Sequence, residues 1–323
     1  MKNIALIGAG QLGSRHLQAL ASVKQPIKIQ VIDPFAESLK VAETRFNEVN
    51  KNFHGSVSFH TELSFLEKNI DVAIIATNSK VRRTVIEALI QNSSVKNLVL
   101  EKFLFVREPD YAAVGKLLTD NKINAWVNCA RRMQDDYQNL QNELTGPIHF
   151  TATGNNWGLG CNGIHMLDLF AFITKSNDIV LSNNLIDNKI IESKRSGYIE
   201  FTGTISGHTK KDSFNITSFT ENASPFLITI NTPVARYSIQ EGAKPVMRVS
   251  RIENDWKWEE KNFNMLIQSQ MTNLLVDELL EKGTCRLTSY EESARLHILY
   301  LNNLISFLRV LNNNNNIEEC LIT

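Results

Sequence analysis

The sequence lacks the marks of a secreted, membrane-spanning or nucleic-acid-binding chain. Its four cysteines, Cys129, Cys161, Cys285 and Cys320, lie far apart and form no C-x-x-C pair. That spacing suggests neither a zinc site nor a disulfide framework, so reduced thiols and no metal centre are expected. Charge of neither sign predominates: 34 Lys and Arg balance 34 Asp and Glu, with no long basic block. Electrostatics therefore gives no argument for nucleic acid or an anionic membrane as partner. No N-terminal stretch joins a charged segment to an apolar one, and no apolar run approaches bilayer length. A cytoplasmic location is the expectation. No unit recurs at the period of a solenoid, and the asparagine run at 312–316 reads as a solvated loop. The 323 residues, 43% hydrophobic and 21% charged, are enough for two ordinary domains, each with its own core.

What is present begins at the N-terminus. A short β-branched run, Asn3 to Ile7, leads directly into Gly8-Ala9-Gly10-Gln11-Leu12-Gly13 and then into a helix-compatible stretch. The G-x-G-x-x-G spacing is weak evidence alone, but strand, turn and helix in succession give each glycine a task. Gly8 permits the tight turn, Gly10 lets backbone approach a pyrophosphate, and Gly13 lets helix pack on strand. A second strand, Ile27 to Ile32, ends at Asp33, the distance at which an acidic residue meets the adenosine ribose. Its carboxylate would accept ribose hydroxyls and repel a 2′-phosphate, which favours NAD over NADP. The plainer reading of Asp33-Pro34 is a strand-ending turn.

Strands and helices then alternate: a helix at 36–47, a strand at 56–60, a helical turn at 61–68, a buried strand at 71–77, a helix at 81–91, a strand at 96–100, a helix at 110–121 and a strand at 124–128. Alternation implies right-handed crossovers and a parallel sheet. Ligands of such sheets lie beyond the carboxyl ends of the strands, beside Thr77, Asn78 and Ser79. Arg82 is balanced between reaching that ligand and being a solvated helix arginine. Glu101 and Lys102 end the fifth strand. An acid and a base at a strand terminus are commonly just solvated, but this terminus faces the cofactor crevice.

From Gly146 the period changes to two. Ile199, Phe201, Gly203 and Ile205, then Phe226, Ile228 and Ile230, then Tyr237 and Ile239, alternate with neighbours that are polar apart from Leu227. This predicts an antiparallel sheet with one buried face in a second, α+β domain. Its helices are 163–174, a stretch with Ile267, Met271, Leu274 and Leu275 on one face, and a last helix opened by a Ser289-to-Glu292 capping box. The expected division is a dinucleotide-binding domain over 1–125 and a second domain over 126–323.

The opening glycine motif, Glu101-Lys102, Asn128 with Arg131-Arg132, and the block from Gly158 to Asp168 together resemble the glucose–fructose oxidoreductase / inositol dehydrogenase (Gfo/Idh/MocA) family. The resemblance implies a Rossmann domain followed by an α+β domain built on a large, mainly antiparallel open sheet. It also implies a nicotinamide-dependent reaction on a secondary hydroxyl of a sugar or sugar nucleotide, with a leaning towards bacterial surface-polysaccharide biosynthesis, and assembly as a homo-oligomer, a dimer or tetramer. The resemblance would assign substrate binding and oligomerisation to the domain over 126–323. Gly8, Gly10, Gln11, Leu12, Gly13, Asp33, Thr77, Asn78, Glu101 and Lys102 would bind the cofactor.

The family's Glu-Lys-Pro reads Glu101-Lys102-Phe103 here. The lysine is kept, so Lys102 would stabilise developing alkoxide charge, and the missing proline relaxes a backbone constraint. The family's Asp-x-Gly-x-His-x-x-Asp reads Cys161 to Asp168, which puts His165 on the acid/base histidine and Asp168 three residues on. Cys161 replaces a carboxylate, and a thiol cannot hold an imidazolium as a carboxylate does. Asn162 and Trp157 are candidates to meet substrate, Trp157 equally as a core residue. Arg131 and Arg132 suit either a structural ion pair or an anionic ligand. The alternative function is a dinucleotide-binding or sensing protein that has lost turnover.

Overall fold

β-branched and helix-forming runs alternate through the early part of the computed structural model, which describes every residue except Asn222 and Ala243. They form β1 (Lys2–Ile7), α1 (Gln11–Leu20), β2 (Ile27–Ile32), α2 (Ala36–Asn47), β3 (Gly55–His60), β4 (Asn69–Ile75), α3 (Arg82–Asn92), β5 (Ser94–Leu100), α4 (Glu108–Asp120) and β6 (Asn124–Val127). The strands pair in parallel in the spatial order β6-β5-β4-β1-β2-β3. A short strand at Thr288–Ser289 adds antiparallel to β6. The order reverses at β1, which has β2 on one side and β4 on the other. Ligands of such sheets bind at that switch point, outside the carboxyl ends. The strands read as continuous apolar runs because both faces are covered; Ile4, Leu6, Ile29, Val31, Val72, Ile74 and Val99 are all in one buried core.

The chain divides into two units. The first comprises residues 1–105, 109–133 and 266–293, and the second 106–108, 134–265 and 294–323. The expected boundary after residue 125 falls within β6. The late stretch belongs to the first unit because its helix, Thr272–Lys282, carries Leu275, Val276 and Leu279 into that unit's core, with Met271 just before it. Ile267, expected on the same face, precedes the helix and is 61% exposed. Gly283, in the left-handed region at φ 72°, ends the helix.

The second unit holds α5 (Asp135–Glu143), β7 (His149–Asn155), α6 (Leu159–Thr174), β8 (Val180–Ile186), β9 (Ile191–Glu192), β10 (Ile199–Glu200), β11 (Gly203–His208), β12 (Ser213–Phe219), β13 (Leu227–Asn231), β14 (Ala235–Gln240), β15 (Val246–Arg251) and β16 (Trp258–Asn262). Eight of these strands form one sheet, ordered β16-β15-β14-β13-β7-β12-β11-β8. Its pairings are antiparallel except that of β7 with β12. The sheet buries one face as the two-residue period requires. Phe150 of β7, Phe214 of β12 and Phe170 of α6 meet with ring centroids 5.2 to 6.1 Å apart. Each such buried ring stabilises the fold by roughly 1.5–3 kcal/mol relative to exposure.

The run expected as one strand from Ile199 to Ile205 is two. β10 pairs with β9 in a separate two-stranded ribbon, while β11 joins the large sheet. Gly203, at φ 94°, makes the break. The last helix, Tyr290–Leu311, opens as expected, with the Glu292 N–H donating to Ser289 Oγ at 3.3 Å.

Candidate functional site

In the first unit the site begins at the turn after β1. Gly8 has φ 95°, and a Cβ there would lie 2.9 Å from the Ala76 carbonyl carbon. A Cβ on Gly13 would fall 1.8 Å from the Gly8 oxygen, so the helix can sit this close to the turn only without a side chain. Around Gly10 the space is open: a Cβ there would meet nothing within 4 Å. α1 starts at Gln11 with no side-chain cap and no acidic residue in its first turn. Its first N–H groups and positive end therefore lie beside an unobstructed cradle, which fits a pyrophosphate.

Asp33 closes the turn from the side. Its Oδ2 accepts the Ala9 N–H at 2.7 Å and its Oδ1 the Phe35 N–H at 2.9 Å. Each oxygen keeps a lone pair for a ribose hydroxyl. Leu12 is half-buried and Gln11 is exposed. Arg45 of α2 donates to Gln11 Oε1 at 2.9 Å and to Ser14 Oγ at 2.6 Å. This cation beside the first turn of α1 had no local signal in the sequence.

At the carboxyl end of β4, Thr77 Oγ1 is buried with no hydrogen-bond partner among the described residues. Asn78 Oδ1 accepts the Val81 N–H at 3.4 Å. Arg82 is neither solvated nor free to meet a ligand. Its guanidinium, 1% exposed, donates to the carbonyls of Thr77, Phe103 and Leu104 and so ties the loop after β4 to the loop after β5.

Glu101, 3% exposed, accepts hydrogen bonds from Asn128 Nδ2 and lies 2.8 Å from His16 Nε2. Burial alone would raise the Glu101 carboxyl. The hydrogen bond and charge of His16, the Asn128 amide and the Lys102 charge outweigh it and hold Glu101 below the usual carboxylate range. Lys102 follows, half-buried, joined to Phe103 by a cis peptide bond. Arg132 takes the structural option, pairing with Glu292 at 2.8 Å.

In the second unit α6 begins four residues before the expected Gly163, after Gly158 at φ 84°. Cys161 and Asn162 are thus in its first turn, and Cys161 and His165 are spaced i,i+4, on one face. His165 is half-buried and Asp168 buried. The Cys161 thiol lies 3.8 Å from the Gly158 oxygen. Asn162 Nδ2 donates to the Trp157 carbonyl at 2.7 Å. The Trp157 indole N–H donates to the Thr217 carbonyl at 2.8 Å, with its ring 5.1 Å from that of Phe226.

A carboxylate does reach this helix, from a residue sequence reasoning placed on the polar side of a strand. Glu200 of β10, 5% exposed, accepts the Gly160 N–H at 2.7 Å and the Cys161 N–H at 3.0 Å. It meets the orphan donors and positive end of α6, a task given in other helices to a capping side chain.

A parallel sheet whose first strand ends in this turn, with an acidic residue closing the second strand, defines a nucleotide-binding Rossmann protein. Residues 2–128 match the Gfo/Idh/MocA family, described as an oxidoreductase family with an NAD-binding Rossmann fold. No curated protein matches the chain by sequence. Among solved structures, an oxidoreductase from Agrobacterium radiobacter in complex with NAD+, L-tartaric acid and magnesium is similar at 17% identity and TM-score 0.72, covering 96% of this chain and 97% of its own. UDP-N-acetylglucosamine 3-dehydrogenase GnnA from Acidithiobacillus ferrooxidans is similar at 14% identity and TM-score 0.73, over 96% and 99%. KijD10, a 3-ketoreductase from Actinomadura kijaniata with TDP-benzene and NADP, is similar at 14% identity and TM-score 0.68, over 100% and 99%. At these identities the likeness is one of fold. No helix among the described residues is long and apolar enough to cross a membrane.

Proposed function

We propose that this chain is an NAD(P)-dependent dehydrogenase acting on a CH-OH group, moving a hydride between nicotinamide and a secondary hydroxyl/ketone pair of a sugar or sugar nucleotide. The observation that carries this reading is the open glycine turn backed by Asp33, with Glu101-Lys102 two strands away at the same edge of the sheet. Fold neighbours that include a UDP-N-acetylglucosamine 3-dehydrogenase and a 3-ketoreductase holding TDP-benzene support the substrate class.

The dinucleotide, when bound, supplies the hydride donor or acceptor. Gly8, Gly10, Gln11, Leu12 and Gly13 would hold its pyrophosphate through backbone N–H groups, and Asp33 its ribose. Thr77, Asn78 and Glu101 would line its edge. The Asp33 charge disfavours a 2′-phosphate, so NAD is the proposed cofactor. Lys102 donates a charge-assisted hydrogen bond to the reacting oxygen as it gains alkoxide character. His165 takes the hydroxyl proton in oxidation and returns it in reduction. Trp157, Cys161 and Asn162 are proposed to contact substrate. The protein is proposed to work in the cytoplasm as a homo-oligomer.

The second reading, a dinucleotide-binding protein without turnover, is favoured by one observation: the family carboxylate at position 161 is a thiol. Calorimetry with NAD, followed by absorbance of the reduced nicotinamide across UDP-sugars, TDP-sugars and free sugars, separates the two. The dehydrogenase reading expects turnover that falls roughly hundredfold to thousandfold in Lys102→Ala. Binding of NAD without turnover on any sugar selects the second reading, and failure to bind NAD or NADP removes both.

A further inference from the structure

Glu101 belongs to a closed ring of side chains drawn from separate stretches of the first unit. His16 Nδ1 lies 2.9 Å from Thr272 Oγ1, and His16 Nε2 lies 2.8 Å from Glu101 Oε1. Gln268 donates through Nε2 to Thr272 Oγ1 at 2.8 Å and accepts at Oε1 from Asn128 Nδ2 at 2.8 Å. Asn128 gives its other amide hydrogen to Glu101 Oε1, which closes the circuit. His16 and Thr272 are 0% exposed, and Glu101 and Asn128 are 3% exposed.

An ionised carboxylate only accepts, so the 2.8 Å contact between Glu101 and His16 Nε2 requires a hydrogen on Nε2, pointing toward Glu101. Two donors thus converge on one Glu101 oxygen. A protonated Glu101 would lose the charge that draws both donors to one oxygen. The charged or titratable groups acting on this carboxylate are His16 from α1 and Lys102 beside it in the chain.

We propose that this ring is a positioning device that holds Glu101 as a carboxylate beside Lys102, with His16 and Thr272 as its positioning residues. The fixed negative charge is the counter-ion against which the Lys102 ammonium works, so the proposal rests on the catalytic role given to Lys102 above. None of the three ring members outside the carboxyl edge touches substrate in this scheme; they act through Glu101.

The test uses the full chain with 13C-labelled glutamate, the Glu101 carboxyl resonance being assigned by its loss in Glu101→Gln. In the parent, Glu101 stays ionised below the ordinary carboxylate midpoint of 4.5. In His16→Leu its midpoint rises by about one unit or more, since one donor facing the charge is gone. Thr272→Val keeps shape and removes the hydroxyl that anchors the imidazole, and it raises the midpoint in the same direction. His16→Gln, which keeps an N–H donor, and Thr272→Ser, which keeps the hydroxyl, return it towards the parent value. With any sugar the parent turns over, Thr272→Val lowers kcat about tenfold with KM within about twofold, and Thr272→Ser restores it. An unchanged Glu101 midpoint in both His16→Leu and Thr272→Val, with the fold retained by circular dichroism, overturns the proposal. The carboxyl titration needs no substrate, so it decides the role of the ring even if no sugar is turned over, which would count against the dehydrogenase reading alone.

Discussion

Replacing Glu200 by Gln tests whether α6 is set in place by a carboxylate from another strand. α6 has no side-chain cap and no acidic residue in its own first turn. The Gly160 and Cys161 N–H groups instead point at separate Glu200 oxygens, at 2.7 and 3.0 Å, and the Phe201 N–H shares one of them at 3.3 Å. Hydrogen bonds to a charged acceptor contribute roughly 1.5–3 kcal/mol, and the helix dipole adds about 0.3–1 kcal/mol. Glutamine keeps one acceptor but turns an NH2 towards the other donor, so Glu200→Gln should cost about 2–3 kcal/mol on those figures. Glu200→Ala leaves all three N–H donors without this acceptor, at about 1–3 kcal/mol for each that stays buried. With Glu200 only 5% exposed, solvent screens little of this. Urea denaturation should show the lowered stability, and hydrogen exchange at the Gly160 and Cys161 amides should quicken by roughly 30- to 100-fold, as about 1.4 kcal/mol per decade requires. A stability within about 0.5 kcal/mol of the parent together with unchanged protection at those two amides would refute the reasoning, since that is the scatter of an ordinary surface substitution.

Asp33→Ala should lower the affinity ratio of NAD over NADP by roughly 10- to 100-fold, the worth of a charged acceptor at the ribose; calorimetry with both dinucleotides reads it. Gly13→Ala drives a methyl to 1.8 Å from the Gly8 oxygen, so the turn must shift. NAD affinity should fall, with a stability loss of about 1–3 kcal/mol by thermal unfolding. Because Glu101 is held below its ordinary 4.5 when folded, its contribution to stability is complete above that value and is lost as pH falls through the lower folded one. Acid titration of stability should be flatter in Glu101→Gln. Burial pushes the Cys285 thiol from 9.0 up to about 12, so its alkylation near pH 8 should run about a thousandfold slower than that of an ordinary thiol. A fast Cys285 adduct by mass spectrometry would contradict that burial.

The sequence made the first sheet legible almost strand by strand, because parallel strands covered on both faces must be apolar runs and the Gly8-to-Gly13 spacing fixes where the first turn lies. Asp33 was legible for the same reason, as the residue ending the second strand. The partners of Glu101 were not. Gln268 and Thr272 come from the far end of the chain, and nothing in a periodic pattern reports that a distant helix returns to the first sheet. Arg82 misled because one turn into a helix is an ordinary place for a solvated cation, and only the fold reveals the three carbonyls waiting for it. Glu200 misled through the two-residue period itself: alternation assigned it to water, whereas the left-handed backbone at Gly203 detaches its strand from the large sheet and lets the carboxylate turn inward to α6.

The return of residues 266–293 to the first unit bears on how the protein is made. A ribosome releases the six parallel strands early, yet Met271, Leu275, Val276 and Leu279, which fill part of the core, emerge only after residues 134–265 of the second unit. Newly synthesised first-unit strands must therefore wait with an apolar surface uncovered, a period in which chaperones or aggregation compete for it. For the same reason a fragment ending at residue 133 should not give a stable nucleotide-binding half, whereas joining 1–133 to 266–293 through a short linker should.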